Sequence, residues 1–181
     1  MDSFLMTCLL ITVPVITING YNNGAPVGAC MTLVPNHGAV AQTSSSPYSI
    51  TVSSTTYKPD ETLTVTVKGD LFEGLILQAR SSSGDLTPIG TFSVPSTNTK
   101  TTSCTSDSDT WTHSSKTNKL KGSANWTAPS KNLGAIIFRA TILESKLKFW
   151  TNHLKSVSAQ SGLRYGAWIL FAGLLTVALV V

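Results

Sequence analysis

Hydrophobic and polar residues alternate most clearly in residues 62–68, where the chain reads TLTVTVK. Leu63, Val65 and Val67 fall on one side of an extended chain, and the threonines and Lys68 fall on the other. A strand with one face in a core and one face in solvent has this period of two. The segment is therefore predicted to be a half-buried β-strand.

Further apolar segments, separated by turn clusters such as SSSGD and APSKN, predict more short strands. They cover residues 48–53, 74–80, 89–94, 110–113, 120–127 and 135–143. Residues 146–155 fit either a final edge strand or a short helix, and we favour the strand. Seven or eight short strands without a long amphipathic helix predict an all-β fold, an antiparallel β-sandwich.

The segments between the predicted strands have different compositions. Residues 21–38 are dense in Gly, Pro and Asn, which predicts an extended, turn-broken opening segment held down by Cys30. Residues 44–46 and 96–108 are rich in Ser and Thr and are predicted to be solvated loops. The large aromatic residues predicted to lie in the core are Phe72, Phe92, Trp111, Trp126 and Phe138.

An uncharged, apolar segment lies near each end of the chain, at residues 4–18 and 166–181. Residues 4–18 have the length of a signal-peptide core, so residues 1–20 are predicted to be a cleaved signal; the alternative is a buried first strand. Residues 166–181 form a hydrophobic tail behind a spacer, 156–165, which favours a glycosylphosphatidylinositol signal with Ser158 or Ala159 as the attachment site. A retained membrane span and a packed terminal element are the alternatives. The domain itself is predicted to cover residues 21–155.

Only 12% of the residues are charged, well below the roughly 25% of a typical soluble globular protein. Removal of the signal would remove Cys8 and leave Cys30 and Cys104. In an oxidising compartment two such cysteines normally pair. The composition and the cysteines thus predict a small exported domain, attached to the outer face of the plasma membrane or secreted.

Positive charge is concentrated in the second half of the chain. Residues 21–115 have four cations against seven acidic residues, whereas residues 116–158 have eight cations against Glu144. These cations could form one basic face for lipopolysaccharide, heparan sulfate or anionic lipid, or they could simply keep the protein soluble. Nucleic acid is disfavoured because of the predicted compartment. The eight residues are Lys116, Lys119, Lys121, Lys131, Arg139, Lys146, Lys148 and Lys155.

Motifs for catalysis or cofactor binding are not found in the sequence. His37, His113 and His153 have no metal-ligand spacing, and we expect His37 and His113 to hydrogen-bond loops together. Asp107 and Asp109 fit a solvated turn better than a calcium loop. We therefore expect no enzymatic activity, no cofactor and no resident metal.

One N-glycosylation sequon is present, Asn125-Trp126-Thr127. If Trp126 faces the core, alternation along the strand directs Asn125 to solvent. Asn125 is therefore a candidate attachment site for an oligosaccharide.

Taken together, the ordered segments resemble the reeler (reelin) domain family. The resemblance implies an immunoglobulin-like sandwich and a Cys30–Cys104 disulfide. The segments that carry it are YNNGAPVGAC, MTLVPNHG, QTSSSPYSI, FEGLILQAR, IGTF, Cys104, WTH, NWTAP, GAIIFRATIL and KFW.

The resemblance also implies a function. In size the chain is similar to the small defence proteins of this family, which bind bacterial surface components. We therefore expect a non-enzymatic, cell-surface or secreted binding protein in innate defence. The alternatives are an accessory module related to ferric-chelate reductases and an adhesion or matrix module that contacts other cell-surface proteins.

Overall fold

The computed structural model describes residues 21–36, 38–93 and 96–159, and this part of the chain forms two packed β-sheets. A short 3-10 turn, Val27–Ala29, precedes the strands. No helix in the described part is long and apolar enough to cross a bilayer. In chain order the strands are β1 Ser49–Val52, β2 Thr56–Tyr57, β3 Thr62–Phe72, β4 Gly74–Ser81, β5 Thr91–Ser93, β6 Thr99–Thr102, β7 Thr110–His113, β8 Lys119–Thr127, β9 Ile136–Ser145 and β10 Lys148–Ala159.

The first sheet has four strands in the order β1-β3-β8-β5, and the second has six in the order β2-β10-β9-β4-β7-β6. All neighbouring strands are antiparallel except β2 and β10, which run parallel. The predicted all-β sandwich is confirmed, with this one parallel pair as a correction. The pair is short because β2 contributes only Thr56 and Tyr57 at the edge of the sheet.

Every predicted strand is present, including the ambiguous last one, which is β10. The prediction missed β2 and β6. Residues of β6 were assigned to a loop because Thr99–Thr102 has no apolar residue to give an alternating pattern. Its four residues are half-buried and pair only with β7. Hydrogen bonding to a neighbouring strand, rather than burial of a hydrophobic face, makes this segment a strand.

The core lies between the inner faces of the two sheets. Leu63, Val65 and Val67 of β3 are at most 1% exposed, as their alternation predicts. From β8, Trp126 packs edge-on against Phe138 of β9, with ring centroids 5.1 Å apart. Burying large apolar side chains in this way contributes about 1.5–3 kcal/mol each. The five aromatic residues predicted in the core are all buried: Phe72, Phe92, Trp111, Trp126 and Phe138.

The opening segment lies on the outer face of the six-stranded sheet. Ala29 and Leu33 pack with Ile76 in a second, smaller apolar cluster. The Cys30–Cys104 disulfide joins the segment to the connection that follows β6. The predicted extended segment and the predicted disulfide are therefore both present in the structure.

Strand β10 continues past residue 155, where the domain was predicted to end. Val157 is 1% exposed, and Ser158 and Ala159 pair with Thr56 and Tyr57. The first four residues of the predicted spacer thus belong to the sandwich, because Val157 adds to its core. The predicted signal and tail lie in residues 1–20 and 160–181, outside the described residues.

Candidate anion-binding surface

The eight cations predicted to form one basic face lie on different parts of the sandwich. Lys131 is in the connection between β8 and β9, and Arg139 is opposite Gln78 on the outer side of the six-stranded sheet. Lys155 is opposite Phe138, a core residue. Residues close in sequence are separated here because the chain passes through both sheets. The structure therefore corrects the prediction of a single basic face.

Lys119 is removed from that face by burial, with only 7% of the residue exposed. Its ammonium donates hydrogen bonds to the carbonyl oxygens of Glu73, Ser115 and Thr117 at 2.9, 3.2 and 2.6 Å. Burial lowers the pKa of Lys119, while the Glu73 carboxylate acts in the opposite direction. Lys119 thus joins two turns and does not offer its charge to a ligand.

Other cations at this end of the sandwich have carboxylates close by. The Nζ of Lys148 is 2.8 Å from Glu144 and 5.4 Å from the ring centre of Trp150. Lys116 and Lys146 line a small pocket that Glu73 also lines. Nearby acidic groups reduce the attraction that these lysines exert on an anion.

Two lysines lie directly opposite each other on neighbouring strands, Lys68 on β3 and Lys121 on β8. Both are exposed. The Cβ atoms of such cross-strand partners are about 4.5–5.5 Å apart, and like charges in this position repel. Within residues 21–36, 38–93 and 96–159, neither ammonium has a carboxylate within salt-bridge distance. The pair is thus a local concentration of positive charge that no salt bridge among the described residues neutralises.

Lys68 was not among the predicted site residues. The alternation in residues 62–68 places Lys68 on the solvent face, but it does not predict which residue of another strand lies next to it. Lys121 lies beside it only because β3 pairs with β8. The two lysines are 53 positions apart in the sequence, which does not show which residues of the two strands lie opposite each other. Register between distant strands was the missing information.

From the row of the lysine pair to Thr62 and Thr127, the other outward side chains of the four-stranded sheet are small and polar, and we name this region the hydroxyl face. Cross-strand bonds connect its members: Thr62 Oγ1 lies 3.0 Å from Thr127 Oγ1, and Thr66 Oγ1 lies 3.0 Å from Ser123 Oγ. Lys68 and Lys121 lie at one end of this face. Its residues are Ser49, Thr51, Thr62, Thr64, Thr66, Thr91, Ser93, Ser123, Asn125 and Thr127.

A shallow groove begins beside Lys121. The Oγ of Ser96 accepts a hydrogen bond from Ser123 N and donates one to Ser123 O, both at 2.5 Å, which fixes the loop against β8. Asn98 has a left-handed backbone, φ 61°, in the same loop. Hydroxyl and amide groups thus lie next to the lysine pair, where they can hydrogen-bond to a polar ligand. The groove is lined by Ser96, Thr97, Asn98, Lys119, Lys121, Gly122 and Ser123.

Asn125 lies near the middle of the hydroxyl face, opposite Thr64 on β3 and Ser93 on β5. Its neighbour Trp126 is fully buried, and the indole Nε1 donates to Ile89 O at 2.8 Å. The side chain of Asn125 is half-exposed. The strand alternation that the sequence predicted at this sequon is confirmed.

The two histidines in the described part of the chain, His113 and His153, bond to different segments. His113 is buried, and its Nε2 lies 2.9 Å from Tyr21 O, which joins the opening segment to β7. His153 lies 3.1 Å from Ser46 Oγ, and burial lowers its pKa. His37 is outside the described residues. No group of three or more potential metal ligands occurs in the part of the chain that the structure describes.

Asp109 holds a loop together, in contrast to the solvated turn predicted from the sequence. Its carboxylate accepts N–H bonds from Cys104, Thr105 and Ser106 at 2.7–2.8 Å. Burial raises the pKa of Asp109, but these hydrogen bonds outweigh burial and hold the pKa below its usual value. Because Asp109 is only 1% exposed, its carboxylate oxygens bond to the loop and not to solvent.

A buried polar network beside the disulfide was also missed by the sequence analysis. The guanidinium of Arg80, 1% exposed, donates to Cys30 O at 2.6 Å, to Met31 O at 2.9 Å and to Gln78 Oε1 at 2.6 Å. Gln78 Nε2 donates in turn to Thr110 Oγ1 at 2.8 Å. The network holds the opening segment on the sheet. The sequence signal of it is the pair of polar residues, Gln78 and Arg80, that follows the apolar run 75–77 in the same strand.

Solved structures of known proteins share this sandwich. The chain is similar to the human F-spondin reeler domain, with a TM-score of 0.57 and 22% identity over 67% of this chain and 95% of that one. A second fragment of the same domain gives a TM-score of 0.58, also at 22% identity, over 72% and 99% of the two chains. At this identity the likeness establishes the fold.

Sequence relatives fall into two groups. A "Putative ferric-chelate reductase 1" of Danio rerio is 39% identical over 80% of this chain, but the chain spans only 26% of that protein. "Defense protein l(2)34Fc" of Drosophila melanogaster is 36% identical, with 77% and 88% of the two chains covered. A "Putative defense protein" of Bombyx mori is 33% identical, with 71% and 79% covered.

The Reeler domain family profile matches residues 28–162, which includes the disulfide, both sheets and the lysine pair. The two-sheet fold agrees with that match. This chain belongs to the Reeler domain family.

Proposed function

We propose that this protein is an exported, non-enzymatic recognition protein that binds anionic polymers of microbial surfaces or of the extracellular matrix through Lys68 and Lys121. The proposal rests on the position of the two lysines directly opposite each other on β3 and β8. Among the described residues, no carboxylate lies within salt-bridge distance of either ammonium group. A sulfate or phosphate group between the two ammonium groups would relieve their repulsion. The groove beside Lys121, with Ser96, Thr97 and Asn98 in its lining, offers hydrogen bonds to the sugar units of such a polymer.

The family and the disulfide support a defence role and a location outside the cytosol. The two insect relatives, of which the chain spans 88% and 79%, have names that describe defence proteins. The Cys30–Cys104 bond suits an oxidising compartment outside the cytosol. Binding to a microbial surface is sufficient for such a role and requires no catalysis.

Binding of heparin and of lipopolysaccharide to the full chain, produced by secretion from eukaryotic cells, tests the proposal. The double variant Lys68→Gln/Lys121→Gln should bind at least tenfold more weakly than the wild type at low salt, because each lysine beside an anionic surface contributes about 1 kcal/mol. Lys131→Gln, which removes an exposed charge in the β8–β9 connection, is the matched control and should bind like the wild type.

Salt dependence provides the second readout. The wild-type affinity should fall between low and physiological salt, and the double variant should show a smaller fall, because fewer counterions are released. Absence of binding at both salt concentrations would remove the proposed function. Equal losses in the double variant and in Lys131→Gln would show that net charge, and not the lysine pair, controls binding.

Attachment to the outer face of the plasma membrane through residues 166–181 is part of the same proposal. It rests on the uncharged composition of that segment. Treatment of intact cells with phosphatidylinositol-specific phospholipase C should release the protein if a glycosylphosphatidylinositol anchor has replaced the tail. Retention on the cells after treatment would instead support a membrane span.

A further inference from the structure

The hydroxyl face is composed of short polar side chains. Between its ends, its outward positions are Ser, Thr and Asn on all four strands, in rows set by the register. One row runs Thr51, Thr66 and Ser123, and another runs Thr62, Thr127 and Thr91. Adjacent strands are about 4.8 Å apart, and alternate residues on one strand are about 6.7 Å apart. The surface is therefore a regular array of short hydrogen-bonding groups without bulky side chains.

Asn125 occupies the row between these two, with Thr64 on one side and Ser93 on the other. Its sequon partner Thr127 projects from the same face, because the intervening Trp126 is buried. The short side chains around Asn125 leave space above its amide. A large group attached to that amide would meet hydroxyl groups and no charged side chain in the adjacent rows.

The amide of Asn125 is also oriented for attachment. Its Oδ1 accepts a hydrogen bond from Thr64 Oγ1 at 3.2 Å. Because the oxygen points toward β3, the Nδ2 atom points away from that bond. Nδ2 is the atom that carries an N-linked oligosaccharide, so the modified residue can keep its hydrogen bond to Thr64.

We propose that Asn125 carries an N-linked oligosaccharide whose first sugars lie on the hydroxyl face and cover its central rows. The transfer uses a lipid-diphosphate-linked oligosaccharide as co-reactant: Nδ2 forms a bond to C1 of the first sugar, the bond from C1 to the diphosphate oxygen breaks, and the lipid diphosphate and the amide proton leave. The inference rests on the export that the proposed function includes. It is independent of whether Lys68 and Lys121 bind a polymer.

Mass spectrometry of the full chain secreted from eukaryotic cells tests attachment. Trypsin should release residues 122–131, GSANWTAPSK, in a glycosylated form that peptide N-glycosidase converts to the peptide with Asp at position 125. Thr127→Ala should abolish the modification, whereas Thr127→Ser keeps a functional sequon and should retain it. An unmodified peptide from the secreted wild-type protein would overturn the proposal. Restricting the analysis to secreted protein separates this failure from a failure of export.

Contact with the face is tested by comparing the intact glycoprotein with protein trimmed by an endoglycosidase to a single sugar. The methyl NMR signals of Thr64 and Thr66 should shift on trimming, while that of Thr55, exposed outside the face, should stay unchanged. Unchanged Thr64 and Thr66 signals would show that the oligosaccharide extends into solvent and would overturn the proposed contact. Heparin binding, measured on the same samples, reports separately on the lysine pair.

Discussion

The Nζ atom of Lys119 lies 2.9 Å from the carbonyl oxygen of Glu73, which ties the connection before β8 to the turn between β3 and β4. Ser115 and Thr117 provide two further carbonyl acceptors. All three hydrogens of the ammonium are therefore used inside the protein. Lys121, only two residues later, is exposed and faces Lys68. Of the two lysines of β8, Lys119 therefore stabilises the fold, whereas Lys121 presents its charge to solvent.

Replacing Lys119 by Met should lower the free energy of unfolding by about 1–3 kcal/mol, because three carbonyl groups lose their donor. Lys121→Met, which removes an exposed charge from the same strand, should leave stability within about 0.5 kcal/mol of the wild type. Urea unfolding of both variants measures the difference. The order should reverse for heparin affinity, which only Lys121→Met should reduce. Equal stability of the two variants would contradict the structural role of Lys119.

Asp109→Asn should destabilise the protein by about 1–3 kcal/mol at pH 7, because the amide cannot accept all the N–H bonds that the carboxylate accepts. The pKa of Asp109 in the folded protein is below its usual value of 3.8. Its stabilisation is therefore present above that pH and is lost as the pH falls through the folded-state pKa.

Urea unfolding across acidic pH checks this prediction for Asp109. The difference in stability between the wild type and Asp109→Asn should be constant from about pH 7 to pH 5 and should shrink below about pH 4. A difference that stays constant to the lowest accessible pH would show that protonation of Asp109 is not the cause.

Arg80→Met should loosen the opening segment without breaking the disulfide. The carbonyl groups of Cys30 and Met31 lose their guanidinium donor, and Gln78 loses a partner for its Oε1. Hydrogen exchange at the Leu33 amide, which bonds to Ala29 O at 2.8 Å, should become faster by about tenfold or more, in line with a local loss of about 1.4 kcal/mol. Unchanged exchange at Leu33 would show that the disulfide alone holds the segment.

Local pattern predicted most of the fold, and non-local pairing limited the prediction of the site. Leu63, Val65 and Val67 were placed correctly because period-two alternation reports burial directly. The same rule puts Lys119 and Lys121 of β8 on one face. In the structure Lys121 pairs with Lys68, whereas Lys119 pairs with the buried Phe72 across a register shift in β3. This irregularity places extra residues of β3 between the two pairs, changes which side chains lie opposite each other and leaves little trace in sequence composition.

Gly90 precedes β5 with a φ of 70°, and a Cβ atom there would collide with Thr127 O and lie 2.6 Å from Trp126 Nε1. The indole of Trp126 would have to move away from its bond to Ile89 O. Gly90→Ala should therefore cost about 2–4 kcal/mol of stability, from backbone strain together with overpacking of the core.

Gly84→Ala separates these two contributions. Gly84 has a φ of 95°, and nothing lies within 4 Å of a Cβ built there, so its substitution should cost only the backbone strain of about 1 kcal/mol. The fluorescence of Trp126 provides a second readout, because only Gly90→Ala displaces that indole. Equal losses in urea unfolding for the two variants would mean that the contact between Gly90 and Trp126 is relieved at no cost, and that strain alone explains the glycine at position 90.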